Sequence, residues 1–271
     1  MPIAYEGRTA LITGASSGIG AAFARELAGR GMDLVLVARS RERLDSLAQE
    51  LVGAHLRRVE VVPADLSQRG AAERIATEVA QLGLNVDFLV NNAGFGTYGR
   101  FETLSPERDR DEIMVNVLAP VSLAHAFIPS MLQRGGGYVI NVGSTAAFQP
   151  LAWEAVYGAS KAFVLSFSEA LWAEYRGRGI HVLALCPGRT ATPFFDAVGT
   201  TEGAVGVARR PEQVVATGLR ALEQGRSHAV DGAANQLMAL APRFLPRTWY
   251  ALIVRWLLRP GRGSLPFDRR A

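Results

Sequence analysis

The stretch "TALITGASSGIG", residues 9–20, joins a short apolar run to three closely spaced glycines. The apolar run predicts a buried strand, and a helical pattern begins near its end. Glycines at this junction allow a sharp turn, a close approach of the backbone to a pyrophosphate and tight packing of helix on strand. The amides at the start of the helix attract anionic oxygens. The stretch therefore predicts a dinucleotide-binding loop. Its expected cofactor-binding residues are Gly14, Ser16, Ser17, Gly18, Ile19 and Gly20.

Apolar runs of the same kind recur along the chain between longer amphipathic stretches. Strands that are apolar on both faces and separated by helices predict a parallel sheet covered on both sides. The expected strands are residues 9–13, 33–38, 59–64, 86–92, 137–143, 180–186 and 227–232. The predicted fold is an α/β Rossmann fold, a doubly wound and mostly parallel seven-stranded sheet. We expect one domain over residues 1–233 and a C-terminal helical extension over residues 234–271.

The amino-acid composition indicates which kinds of partner and which cellular compartment to expect. The 271 residues suit one large domain, and 49% hydrophobic with 20% charged residues is typical of a globular protein. The net charge is +4, but the arginines are scattered among 25 acids, which predicts no nucleic-acid partner. The single cysteine, Cys186, excludes an internal disulfide and favours a reducing cytoplasm. The four histidines have no ligand spacing, so we expect no metal site.

The end of the second predicted strand indicates the cofactor. An acid usually holds the adenosine ribose at this place, but the chain has Ala38 and Arg39 there. An arginine pairs with a 2′-phosphate, which an acid would repel. The sequence therefore predicts NADP(H). Arg43, one turn into the next helix, either assists or is an ordinary exposed arginine.

With these pieces in place, the chain resembles the short-chain dehydrogenase/reductase family from about residue 7 to about residue 232. The pieces follow the family's order and separations. They are "TGASSGIG" (13–20), "ADL" (64–66), "NNAG" (91–94), Asn116, Ser144, "YGASK" (157–161) and "PGRTATPF" (187–194).

The resemblance also implies roles for residues along the cofactor. Asp65 and Leu66 would flank the adenine, while Asn92, Ala93 and Gly94 would line the central part. The residues implied at the nicotinamide end are Pro187, Gly188, Thr190 and Thr192. Members of the family are commonly homodimers or homotetramers.

Lys161 is the single lysine among 29 basic residues, and it lies four residues after Tyr157. This spacing places both side chains on one face of a helix. A nearby cation is expected to lower the pKa of the tyrosine and improve it as a general acid and base. A compact ammonium also donates to ribose hydroxyls, a geometry that the planar guanidinium does not reproduce. Tyr157 and Lys161 are therefore expected to bind the cofactor as well as to catalyse.

The expected reaction is NADP(H)-dependent interconversion of a ketone or aldehyde and an alcohol. Tyr157 would protonate the carbonyl oxygen and Ser144 would hold that oxygen by a hydrogen bond. Asn116, by resemblance, would support a water relay behind Lys161. The expected catalytic residues are Asn116, Ser144, Tyr157 and Lys161.

The substrate is expected to be a small hydrophobic carbonyl compound, such as a 3-oxoacyl compound or a steroid-like ketone. Phe148 and Trp153 are candidate pocket walls, Phe194 and Phe195 a candidate lid. Arg189 is the one candidate for contact with a carboxylate, and the favoured alternative is an ordinary surface position. One alternative function is a catalytically idle NADP-binding sensor or scaffold, although the four catalytic residues argue against it. Another is an epimerase or dehydratase, which would normally need a larger C-terminal domain.

The C-terminal extension combines apolar residues with arginines. Prolines and arginines interrupt its apolar content, so this extension predicts no transmembrane span. It is expected to cover the pocket, to join a subunit interface or to lie on a membrane surface as a peripheral contact. The first two alternatives are favoured over the third.

Overall fold

The structure is a computed structural model that describes residues 3–200 and 206–259. Seven strands form one sheet in the order β3-β2-β1-β4-β5-β6-β7, and every neighbouring pair is parallel. This confirms the predicted doubly wound fold. The strands are β1 (Thr9–Thr13), β2 (Asp33–Ala38), β3 (Val59–Pro63), β4 (Val86–Asn91), β5 (Gly137–Val142), β6 (Ile180–Cys186) and β7 (His228–Val230).

Helices cover both faces of the sheet because successive strand residues point to opposite sides. Ala10 and Ile12 pack on one side with apolar residues of α1, α2 and α8. Leu11 packs on the other side with residues of α3 and α5. The α-helices are α1 (Gly18–Gly29), α2 (Arg41–His55), α3 (Ala71–Gln81), α4 (Pro106–Ile113), α5 (Ala119–Gln133), α6 (Ala155–Glu174), α7 (Phe194–Val198), α8 (Pro211–Glu223), α9 (Ala233–Leu240) and α10 (Arg247–Leu257).

The helical stretch over residues 106–133 is continuous but not uniform. A π-helical segment, Met114–Leu118, joins α4 to α5 and contains Asn116. By length and composition, Pro106–Gln133 is the single candidate for a membrane span in the described part of the chain. Its second half contributes buried side chains such as Phe127 and Met131 to the core beneath the sheet. This packing accounts for its apolar character within the folded domain.

The described part of the C-terminal extension is helical, as expected, and folds back on the same chain. The Tyr98 hydroxyl donates a hydrogen bond to the carbonyl oxygen of Leu258 at 2.6 Å. The Trp153 indole Nε1 donates to the carbonyl oxygen of Arg255 at 3.2 Å. These bonds fix the end of α10 beside the loops that follow β4 and β5. The predicted boundary between residues 233 and 234 stays a prediction.

Candidate active site

The carboxyl ends of the central strands open into one cavity of about 610 Å³. This is where parallel α/β sheets usually bind ligands. The cavity brings together nearly all of the predicted site. The predicted residues that line it are Gly14, Ser16, Ser17, Gly18, Ile19, Arg39, Arg43, Asp65, Leu66, Asn92, Ala93, Gly94, Ser144, Tyr157, Lys161, Pro187, Gly188, Thr190 and Thr192. Gly20 and Asn116 do not line it, and both lie behind the wall.

The glycine loop places the start of α1 at the cavity. Ser17 caps the helix in an extended conformation, and its side chain makes no capping bond to the described residues. The first turn contains no acid, so the helix amides face the cavity without a competing carboxylate. The prediction that Gly20 contacts the cofactor is not supported. A Cβ there would collide with the Gly14 carbonyl and the Asn92 side chain, so Gly20 packs helix on strand.

Two exposed arginines stand at the adenine end of the cavity. Arg39 follows β2 directly, and Arg43 lies in the first turn of α2. Ser40 caps this helix by accepting a hydrogen bond from the Arg43 amide at 3.4 Å. Asp65 accepts bonds from the amide and hydroxyl of Ser67 through one carboxylate oxygen, at 3.0 and 2.9 Å. Arg39 and Arg43 both line the end of the cavity where the sequence predicts a contact with the 2′-phosphate.

Three polar side chains meet at the other end of the cavity. Ser144 follows β5, and its hydroxyl accepts a bond from the Ala146 amide at 3.1 Å. Tyr157 and Lys161 lie one turn apart on α6. Lys161 is 4% exposed, and its Nζ donates to the Val142 carbonyl at 3.0 Å. The ammonium lies 5.8 Å from the centroid of the Tyr157 ring.

The expected lowering of the tyrosine pKa is not found. Burial raises the pKa of Tyr157 above its ordinary value, the nearby Ser144 hydroxyl opposes this rise, and the carboxylate of Glu154 adds to it. Burial also lowers the pKa of Lys161 to about 8. The ammonium lies over the ring face and is hydrogen-bonded to a backbone carbonyl, so desolvation dominates both groups. A raised pKa keeps the phenol protonated at neutral pH, the form that donates a proton.

Asn116 acts on the cavity from behind Gly94. Its Oδ1 accepts a bond from the Phe95 amide at 3.2 Å, and its Nδ2 donates to the Phe95 carbonyl and the Ser160 hydroxyl at 2.9 and 3.0 Å. A Cβ on Gly94 would lie 3.0 Å from Asn116 Oδ1 and 3.2 Å from Lys161 Nζ. Asn116 therefore holds the loop that faces the lysine. Its proposed role in a water relay stays a prediction.

The aromatic walls differ partly from expectation. Phe194 packs on the Tyr157 ring with centroids 5.5 Å apart, and both Phe194 and Phe195 line the cavity, while their role as a lid stays a prediction. Arg189 lines it as well. Phe148 instead packs near the His228 ring, and Trp153 lines a smaller neighbouring cavity with Arg255. Phe148 points behind the loop because a short 3-10 turn, Thr145–Phe148, follows Ser144.

The C-terminal extension supplies one complete wall of the cavity, whose individual residues were not predicted. Apolar residues three and four apart along α10 face the cavity, and this spacing was the signal available in the sequence. The wall consists of Met238, Ala239, Tyr250, Val254, Leu257 and Leu258. The extension therefore covers the pocket, one of the roles expected for it. Glu154, from the loop before α6, was also missed.

The outer face of the extension remains largely exposed. Large apolar side chains there include Trp249, which is 67% exposed. The others are Phe244, Leu245, Leu252, Ile253 and Trp256. The predictions of a subunit interface or a membrane contact for this face stay predictions.

Known proteins resemble this chain over most of its length. The family model described as short chain dehydrogenase matches residues 8–203. The very-long-chain 3-oxoacyl-CoA reductase of Anas platyrhynchos is 37% identical over 191 residues, covering 69% of this chain and 61% of the relative. The inactive hydroxysteroid dehydrogenase-like protein 1 of Homo sapiens is 35% identical over 188 residues, covering 69% of this chain and 57% of the relative. The matched segment thus spans about three-fifths of these curated relatives.

A solved structure extends the similarity to the whole fold. The short-chain dehydrogenase from Sphingobium yanoikuyae in complex with NADPH is 32% identical, with a TM-score of 0.78. The similarity covers 97% of this chain and 100% of that one. Together with the parallel sheet, the glycine loop and the Ser144, Tyr157 and Lys161 cluster, these matches establish the family. This chain belongs to the short-chain dehydrogenase/reductase family of oxidoreductases.

Proposed function

We propose that the protein is an NADPH-dependent carbonyl reductase that interconverts a hydrophobic ketone or aldehyde and its alcohol. The observation that carries this proposal is the cavity itself. It joins a helix N-terminus and two arginines at one end to Ser144, Tyr157 and Lys161 at the other. One end suits a phosphorylated dinucleotide, and the other suits transfer of a proton to a carbonyl.

The residues of the cavity fit the proposed cofactor. The amides at the start of α1 suit a pyrophosphate, since no acid occupies the first helical turn. Arg39 and Arg43 would hold the 2′-phosphate of NADP, and Lys161 would hold the nicotinamide ribose. When bound, NADPH supplies the hydride for the carbonyl carbon.

The protein's own contribution is to hold the carbonyl oxygen and give it a proton. The Tyr157 hydroxyl donates its proton to that oxygen, and the Ser144 hydroxyl stabilises the developing negative charge. The raised pKa of Tyr157 keeps the donor protonated over the neutral range. In the reverse direction the phenolate must form first, so oxidation of the alcohol should gain from alkaline pH.

The cavity walls support an apolar substrate. Phe194, Phe195 and the side chains of α10 surround the space beyond Tyr157. These walls exclude water, which strengthens the polar interactions at the carbonyl oxygen. A 3-oxoacyl compound or a steroid-like ketone suits such walls.

A catalytically idle NADP-binding protein is the competing proposal, and a relative named as inactive keeps it in view. The arrangement of Ser144, Tyr157 and Lys161 favours catalysis, because binding alone does not need a proton donor and a hydroxyl that face the same space. We further propose a homodimer or homotetramer in the cytoplasm. Exposed apolar side chains on neighbouring helices, Leu118 and Phe163, support self-association.

The test is NADPH oxidation by the full chain with ketones, aldehydes and 3-oxoacyl thioesters, followed by absorbance. Wild type should consume NADPH with at least one hydrophobic carbonyl compound. Tyr157→Phe should lower turnover by about 10³-fold, within the range for a general acid. NADPH binding, followed by fluorescence, should persist in this variant. NADPH binding by wild type without turnover of any compound would support the idle alternative instead.

A further inference from the structure

A carboxylate without a protein partner faces the cavity. Glu154 lies just before α6, lines the cavity and is 9% exposed. Across the described residues, its side chain accepts no hydrogen bond and joins no ion pair. Buried polar groups are nearly always hydrogen-bonded, because an unpaired one costs free energy. The Glu154 carboxylate is nearly buried, lines the cavity and has no partner among the described residues, so it offers a ligand in the cavity a hydrogen-bonding group.

A second carboxylate lies close behind the first. Glu112 is fully buried, and its Oε2 accepts a bond from the Thr97 hydroxyl at 2.9 Å. Its Oε1 has no partner among the described residues. Burial raises the pKa of both glutamates to about 7, and repulsion from Glu112 adds to the rise at Glu154. Near neutral pH, the Glu154 carboxyl can therefore either accept or donate a hydrogen bond.

The surroundings of Glu154 narrow the class of ligand group. The cavity that Glu154 lines has apolar walls, which include Leu151, Tyr250, Val254 and Leu258. An ammonium group would have to lose its water against these apolar walls. A hydroxyl costs less to desolvate, and it matches a carboxyl that both accepts and donates.

Glu154 also lies close to Tyr157, the proposed proton donor. Glu154 is the residue immediately before α6 and precedes Tyr157 by three residues, and its carboxylate lies close enough to raise the pKa of the Tyr157 phenol. A rigid ligand with its carbonyl oxygen at Tyr157 can therefore reach Glu154 with a group a few carbon atoms away. A site that hydrogen-bonds a substrate hydroxyl discriminates strongly against an analogue without it, because the site's own group is then left unpaired.

We propose that Glu154 binds a hydroxyl group of the substrate, so that the protein selects apolar ketones that carry a hydroxyl a few carbons from the carbonyl. This assignment rests on the proposed carbonyl reduction and names its substrate class. Ser144 and Tyr157 hold the reacting oxygen, and Glu154 holds the second one.

The test compares cyclohexanone with 4-hydroxycyclohexanone, a matched rigid pair. We expect wild type to prefer the hydroxyketone by about tenfold or more in kcat/KM. Glu154→Leu should lower this preference at least tenfold, and Glu154→Gln, which still donates and accepts, should keep an intermediate value. Glu174→Gln, an exposed position on the same helix, should leave the ratio as in wild type. Thermal melting establishes that each variant is folded.

Calorimetric binding to the NADPH-loaded protein separates the two proposals. If neither ketone is reduced, carbonyl reduction fails for this pair, while tighter binding of the hydroxyketone that Glu154→Leu removes still supports the assignment. An equal affinity for both ketones in wild type, or a ratio that Glu154→Leu leaves unchanged, overturns it. A tenfold preference for 4-aminocyclohexanone over the hydroxyketone also overturns it, in favour of a cation site.

Discussion

Two halves of the same cavity differ in how the chain builds them. One half is made by the strand ends, the loops that follow them and the start of α6, and it carries Ser144, Tyr157 and Lys161. The other half is the wall from α9 and α10, held in place by bonds such as that from Tyr98 to the Leu258 carbonyl. In the first half, a site residue's place in the sequence determines its place in the cavity. In the second half, the residues reach the cavity only because α9 and α10 pack back on the rest of the domain.

This difference explains which residues the sequence could reveal. Parallel strands end at one edge of a sheet, so recognising the strands places Arg39 after β2 and Ser144 after β5 along one cavity, at its two ends. The helical spacing of Tyr157 and Lys161 was equally local. These constraints account for the confirmed fold and for the position of most predicted site residues in one cavity, while their roles stay predictions.

The remaining features depend on burial and on contacts between distant segments. Nothing in the short motifs reveals that Val254 and Leu258 return to the cavity, or that Glu154 keeps no partner in the described chain. The direction of the Tyr157 pKa depends on desolvation, which a sequence does not report. Phe148 was misplaced because a single 3-10 turn redirects its side chain.

In the first half of the cavity, substitution of Lys161 should cause the largest loss of activity. Lys161→Arg keeps the charge, but the ammonium occupies a 4% exposed site against the Val142 carbonyl, where a planar guanidinium does not fit. We expect a loss of about 10³-fold in kcat/KM, measured by NADPH oxidation. Thermal melting of the same sample checks the fold. Activity within tenfold of wild type would show that any cation suffices.

The pH dependence of the free energy of unfolding tests the burial of Glu112 behind the cavity. Its pKa rises from 4.5 to about 7 in the folded protein, so folding favours the protonated form and its contribution is lost as pH rises through this range. The resulting change in stability is on the order of a few kcal/mol. Glu112→Gln should therefore gain stability relative to wild type by up to that amount between pH 5 and pH 8, measured by urea unfolding. An identical difference at both pH values would contradict this assignment.

The preference for NADPH over NADH tests the exposed end of the first half of the cavity, where Arg39 lies. Arg39→Asp removes a cation and adds a charge that repels a 2′-phosphate. The NADPH/NADH ratio of kcat/KM should fall by about 10- to 100-fold, as expected for a hydrogen bond to a charged group. Arg41→Asp, at an exposed position of α2 that does not line the cavity, is the matched control. Equal ratios in both variants would place the 2′-phosphate elsewhere.

Substitutions in the wall formed by α9 and α10 should cause the smallest loss of activity. Leu258→Ala removes a nearly buried side chain from the wall, and we expect about a tenfold lower kcat/KM for a bulky apolar ketone. Leu252→Ala, on the exposed face of the same helix, is the control and should behave like wild type. If both variants lose activity equally, α10 matters for stability and not for the substrate.

The most direct measurement is a crystal structure of the chain with NADPH and an unreactive alcohol. We expect the alcohol oxygen to lie within about 2.6–3.2 Å of both the Tyr157 and Ser144 hydroxyls. A Tyr157 hydroxyl turned away from that oxygen, or an alcohol held by other groups, would contradict the proposed proton transfer.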